Sequence, residues 1–116
     1  SSYHETHTLA ASTTSVTSLG IATGDLILGV QFNVNTAVTN GGDDTWTAAL
    51  SGGDTTNVTP LGAAAAALNT KINTPITPVR VTATTEVTFT PNGGSFTAGV
   101  IEVIVYVMQL ANMADV

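Results

Sequence analysis

Between Asp25 and Thr39 the side chains alternate in character over the length of a long strand. Leu26, Leu28, Val30, Phe32 and Val34 fall on one side of the alternation, and Gly29, Gln31, Asn33 and Asn35 on the other. A period of two marks a half-buried β-strand, because successive side chains of an extended chain point to opposite faces. The rest of the chain is built from similar material. It holds 22 Thr, many Val and 11 Gly in 116 residues, the composition of a sheet protein.

Turn residues divide the chain into further strands. Asn40-Gly41-Gly42-Asp43-Asp44 tolerates positive φ and predicts a hairpin loop. Thr45 to Leu50 resumes the alternation with Trp46, Ala48 and Leu50 inward, and Ser51-Gly52-Gly53-Asp54 ends it. A short helix is predicted next, with Thr59 as cap, Pro60 at its first position and the Ala63–Ala67 run as its body. Pro75 and Pro78 keep the following stretch extended but remove ladder donors, which predicts an edge or connector. Val79 to Ala83 and Glu86 to Thr90 read as two strands, and Pro91-Asn92-Gly93-Gly94 as a turn.

Phe96 to Leu110 reads as the longest strand. Ile101, Val103, Val105 and Val107 form one aliphatic face, while Val100, Glu102, Ile104, Tyr106 and Met108 form a second, mostly apolar one. A strand apolar on both faces is central in the fold or covered by another subunit. The expectation is an all-β fold: a β-sandwich or jelly roll over residues 21–116, one short Ala-rich helix, and an extended N-terminal arm over residues 1–20 that either pairs as an edge strand near residues 7–18 or is a disordered tail.

Charge and cysteine content narrow the function classes. Lys71 and Arg80 are the only basic residues against eight acidic ones, a net charge of −6. Neither a nucleic-acid groove nor a polybasic membrane anchor can be assembled from two cations. The start, Ser1-Ser2-Tyr3-His4-Glu5, reads as no secretory signal. With no cysteine, packing alone holds the fold.

Catalytic and metal chemistry find little footing. His4 and His7 are three apart, not the four apart of a zinc-protease helix, and no third ligand accompanies them. They are the only histidines, so a Ser-His-acid triad needs this arm. Asp43, Asp44 and Asp54 lie in two Gly-Gly-Asp turns whose spacing matches no EF-hand, and turn chemistry explains them. Glycosidase carboxylates must flank a groove, whereas Glu86 lies beside a predicted turn and Glu102 is the only acid on an otherwise apolar strand. Glu102 is expected to pair with Arg80 or Lys71, and Trp46 belongs in the core rather than against a sugar ring. No catalytic residue, metal or cofactor is assigned.

The blocks at 20–30 (GIATGDLILGV) and 87–101 (VTFTPNGGSFTAGVI) resemble small β-domains of tailed-phage structural proteins. Those domains serve as head decoration (cement) proteins and as end domains of fibres and spikes, usually trimeric. The resemblance implies a virion component on the capsid exterior, without catalysis. Its partners would be two further copies of itself and the major capsid protein. The alternative it implies is a glycan-recognising domain of a tail fibre or spike. The subunit interface is expected on Val100, Glu102, Ile104, Tyr106 and Met108. Attachment to the particle is expected on the arm, through Tyr3, His4, Glu5, His7 and Leu9, with that arm mobile until bound.

Overall fold

The computed structural model describes residues 1–52, 57–59 and 70–109. These form eight strands: β1 (Ser2–Thr8), β2 (Ser15–Val16), β3 (Asp25–Thr39), β4 (Trp46–Ser51), β5 (Asn57–Thr59), β6 (Lys71–Arg80), β7 (Glu86–Pro91) and β8 (Ala98–Gln109). All strand pairings among the described residues are antiparallel, and they build two four-stranded sheets. The first has the order β1-β8-β3-β6, the second β2-β7-β4-β5. The predicted Ala-rich helix and Asp54 lie outside the described residues. Residues 57–59, where the helix cap was expected, pair with β4 as a strand.

The inner faces of the two sheets meet in one core. Val30, Phe32, Val34, Ile101, Val103, Val105 and Val107 come from the first sheet, and Trp46, Ala48, Leu50, Val87 and Phe89 from the second; all are buried. Phe32, Trp46 and Phe89 touch edge-on at centroid distances of 5.4–5.7 Å, the arrangement that ring quadrupoles favour. Trp46 is therefore an interior residue, as its alternation implied.

Three expectations are corrected. The loop at residues 40–45 is not a hairpin, because β3 and β4 belong to different sheets; it carries the chain from one sheet to the other. The longest strand is β3, with 15 residues, rather than β8, with 12. The alternation in β3 also does not run unbroken. The register shifts between Ile27 and Gly29 against both neighbours, β6 and β8. Ahead of that irregularity Asp25 and Ile27 face inward, and Leu28, expected on the buried face, is 39% exposed. One extra residue in a strand reverses every side chain beyond it.

The N-terminal segment is not a mobile arm. Residues 2–8 pair with β8 without a break in register, from Ser2 opposite Tyr106 to Thr8 opposite Val100. Leu9 is buried in the core, and its N–H donates to the Gly99 carbonyl at 3.0 Å. The strand is long enough to satisfy one side of its backbone, and Leu9 adds apolar burial that offsets the entropy of ordering it.

Candidate functional site

The outward face of the first sheet collects His4 and the five expected interface residues of β8. Its register sets them in rows across four strands. Thr6, Glu102, Asn33 and Lys71 form one row; His4, Ile104, Gln31 and Asn73 the next; Ser2, Tyr106, Gly29 and Pro75 a third. Met108, Leu26 and Arg80 complete the end of the face. The five expected interface residues of β8 therefore share one surface. Tyr106 and Met108 are 44% and 45% exposed, whereas Val100, Glu102 and Ile104 are half-buried among their neighbours.

Glu102 is the polar centre of this face. Its Oε1 accepts from Asn33 Nδ2 at 2.7 Å, and its Oε2 lies 2.9 Å from His4 Nε2. These contacts hold its carboxyl below the ordinary 4.5, the Asn33 bond contributing most and the His4 bond next. Lys71, in the same row, adds a weaker Coulombic pull. The expected pairing with Arg80 or Lys71 is thus replaced by hydrogen bonds to Asn33 and His4. Cross-strand neighbours on one face are within reach, and sequence alone does not say which strands are neighbours.

Gly29 also shapes this face. With no side chain outward in its row, it leaves a groove of about 330 Å³ lined by Leu28, Gly29, Val30, Gln31, Asn73, Thr74 and Tyr106. The Tyr106 hydroxyl donates to Gln31 Oε1 at 3.0 Å, which fixes the ring at the rim. Thr74 Oγ1 is buried without a hydrogen-bond partner, and its register opposite Val30 puts it on the inward side of β6. Sequence reading missed this groove. The signal was present in Gly29 itself, since a lone glycine within a strand pattern marks a bulge or a close approach.

The other face of β1 is polar yet points inward. Tyr3 donates to Asp25 Oδ2 at 2.6 Å, which raises its phenol above the ordinary 10.0. His7 stacks on Phe89 at 5.6 Å, with Nδ1 2.8 Å from Glu5 Oε2 and Nε2 2.7 Å from Ser15 Oγ. Glu5 also accepts the Ser18 N–H at 2.8 Å. Acid, imidazole and hydroxyl therefore stand in the order of a hydrolase triad. A nucleophile must meet its substrate, however, and Ser15 is 2% exposed and already accepts the Ala10 N–H at 2.9 Å. The trio acts as a polar clamp joining the first sheet to β2 of the second.

The remaining candidates are held by partners within the protein. Asp43 accepts from the N–H and hydroxyl of Thr45 at 3.0 and 2.7 Å and from Asn92 Nδ2 at 3.1 Å, and these contacts lower its pKa. Asp44 accepts the Asn40 N–H at 3.0 Å. Glu86 accepts from Thr17 Oγ1 and the Gly20 N–H, at 3.0 and 2.9 Å. Among the described residues no three acidic or imidazole groups converge on a point. No protein-family model matches this chain, and a comparison with curated proteins gives no match either.

Proposed function

We propose that the chain is a non-catalytic structural protein of a virion: a bacteriophage head decoration (cement) protein that binds the outside of the shell and stabilises it as a homotrimer. The observation that carries this reading is the outward face of the first sheet. Val100, Ile104, Tyr106 and Met108 of β8 lie beside Leu26 of β3 on a surface that no element of the described chain covers. Apolar area of this kind is costly in water and is a usual mark of an assembly surface. Two further features agree. The orders β1-β8-β3-β6 and β2-β7-β4-β5 support reading the two sheets as a jelly roll, a fold that serves viral capsid and lectin domains alike. Only 9% of residues are charged, which suits a protomer that hides much of its surface.

Sedimentation at micromolar concentration tests the trimer, with about 35 kDa expected from three chains of 11.7 kDa. An Ile104→Glu/Met108→Glu variant should sediment as the monomer while keeping the wild-type circular dichroism. Adding the wild-type chain to particles stripped of their decoration protein should restore full occupancy. A wild-type monomer, or no occupancy, refutes the proposal.

A second reading is favoured by the groove over Gly29. Tyr106 offers an aromatic rim, and Gln31 and Asn73 offer amides. Such a lining suits a neutral sugar ring and matches the glycan-recognising alternative. Glycan-array binding by the wild-type chain that Tyr106→Ala abolishes would favour it over decoration.

A further inference from the structure

The two edges of the first sheet are treated in opposite ways. β6, at one edge, contains Pro75 and Pro78 and is bounded by Lys71 and Arg80, the chain's only two basic residues. Proline and cations are the usual means of stopping an edge from recruiting another strand. β1, at the other edge, has no proline, no lysine, no arginine and no bulge over its seven residues.

Its backbone is also aligned for pairing. The bonds Leu9 N–H to Gly99 and Val107 N–H to Ser1 fix which residues turn toward β8. In an antiparallel ladder alternate residues bond to the same neighbour, so Ser1, Tyr3, Glu5, His7 and Leu9 face β8. The N–H and C=O groups of Ser2, His4, Thr6 and Thr8 then point to the open edge. Their side chains are exposed, and among the described residues β1 pairs only with β8. Ala10 shows what happens one step further on, where the next outward N–H is taken by Ser15 Oγ at 2.9 Å.

We propose that the open edge of β1 is a docking site for an extended strand from another protein, which adds to the first sheet as a fifth strand. Main-chain bonds to Ser2, His4, Thr6 and Thr8 provide the affinity. The charges on the sheet choose the occupant. Glu5 lies on the edge strand itself and Glu102 one strand in, on β8, whereas both cations lie on β6, three ladder spacings or about 14 Å away. A second copy of β1 in full antiparallel overlap sets Glu5 opposite Glu5, a like-charge pair that disfavours self-pairing. The fitting partner is a neutral or basic segment of about seven extended residues. Only the origin of that segment, a capsid subunit, rests on the decoration reading.

Two synthetic peptides test this on the full chain: residues 2–8 as they stand, and the same peptide with Glu5→Lys. Aligned in full overlap, the altered position lies opposite Glu5 of the protein. The Glu5→Lys peptide is expected to bind at least tenfold more tightly than the unaltered one. Binding should slow amide exchange at His4 and Thr6, while Tyr3 and Glu5 amides are protected with or without peptide. Thr6→Pro removes one outward N–H that the fold does not use, so it should weaken binding at least fivefold. Thr6→Ala, which keeps that N–H, should bind as the wild type. Both variants should melt within a few degrees of it; should Thr6→Pro not, His4→Pro replaces it with the same expectation. Absence of binding by the Glu5→Lys peptide, tighter binding of the unaltered peptide, or unchanged binding to the proline variant overturns the proposal. None of these outcomes depends on whether stripped particles are decorated.

Discussion

The hydroxyl of Tyr3 donates to Asp25 Oδ2 at 2.6 Å and accepts the Ala22 N–H at 3.2 Å. One side chain of the edge strand thereby ties the start of β1 to the entrance of β3. Asp25 is 4% exposed, so its carboxylate depends on partners within the protein. Tyr3→Phe removes the donor and leaves that carboxylate short of a bond. A loss of about 1–3 kcal/mol in unfolding free energy is expected by urea titration. A change below about 0.5 kcal/mol would show that water substitutes for the phenol.

Acid should destabilise the fold through Glu102 and Asp43. Both carboxyls titrate lower in the folded chain than their ordinary 4.5 and 3.8. The fold therefore favours their ionised forms. That contribution is present above about pH 4.5 and is lost as pH falls through the lowered folded values. A melting-temperature profile from pH 7 to pH 2 should show this fall. Glu102→Gln/Asp43→Asn should lower the neutral plateau and flatten the acid limb; parallel profiles would exclude these groups as its origin.

At the alkaline end the sign reverses. The folded pKa of Tyr3 lies above 10.0, so its contribution is complete below pH 10 and disappears as pH rises through the folded value. Tyr3→Phe should accordingly remove part of the stability loss of the wild type above pH 10. An unchanged alkaline limb would assign that loss to other groups.

Deleting residues 1–9 should lower stability as well as any binding. The deletion removes an entire edge strand, the buried Leu9 and the His7–Ser15 clamp. Loss of one large buried aliphatic side chain alone costs about 2–5 kcal/mol, or more than 8 °C in Tm for a domain of this size. Differential scanning calorimetry of the truncated chain checks this. A preserved melting temperature would mean that β1 is dispensable to the fold.

Chelation should leave Tm unchanged. Asp43 and Asp44 are engaged by Thr45, Asn92 and Asn40 within the protein. A drop of more than about 5 °C on adding EDTA, roughly 1 kcal/mol, would reveal a cation bound at these turns.

Alternation in the sequence determined which residues face each other's sheets over most of the core. Trp46, Ala48 and Leu50 were legible as one inward face, and Ile101 to Val107 as another, because side-chain direction in a strand is a local property. Pro75 and Pro78 likewise marked β6 as an edge, since a missing N–H is fixed by residue type. Tertiary structure decided the rest. Which strands become neighbours depends on burying two faces against each other, so the partners of Glu102 and the crossing at residues 40–45 were not readable locally. The slip between Ile27 and Gly29 sends Leu28 outward and Asp25 inward, and a run of Leu, Ile and Leu satisfies either phase. Glu5 and His7 face inward because Ser15 and Ser18 supply their hydrogen bonds, and only the folded chain brings those donors and acceptors to β1.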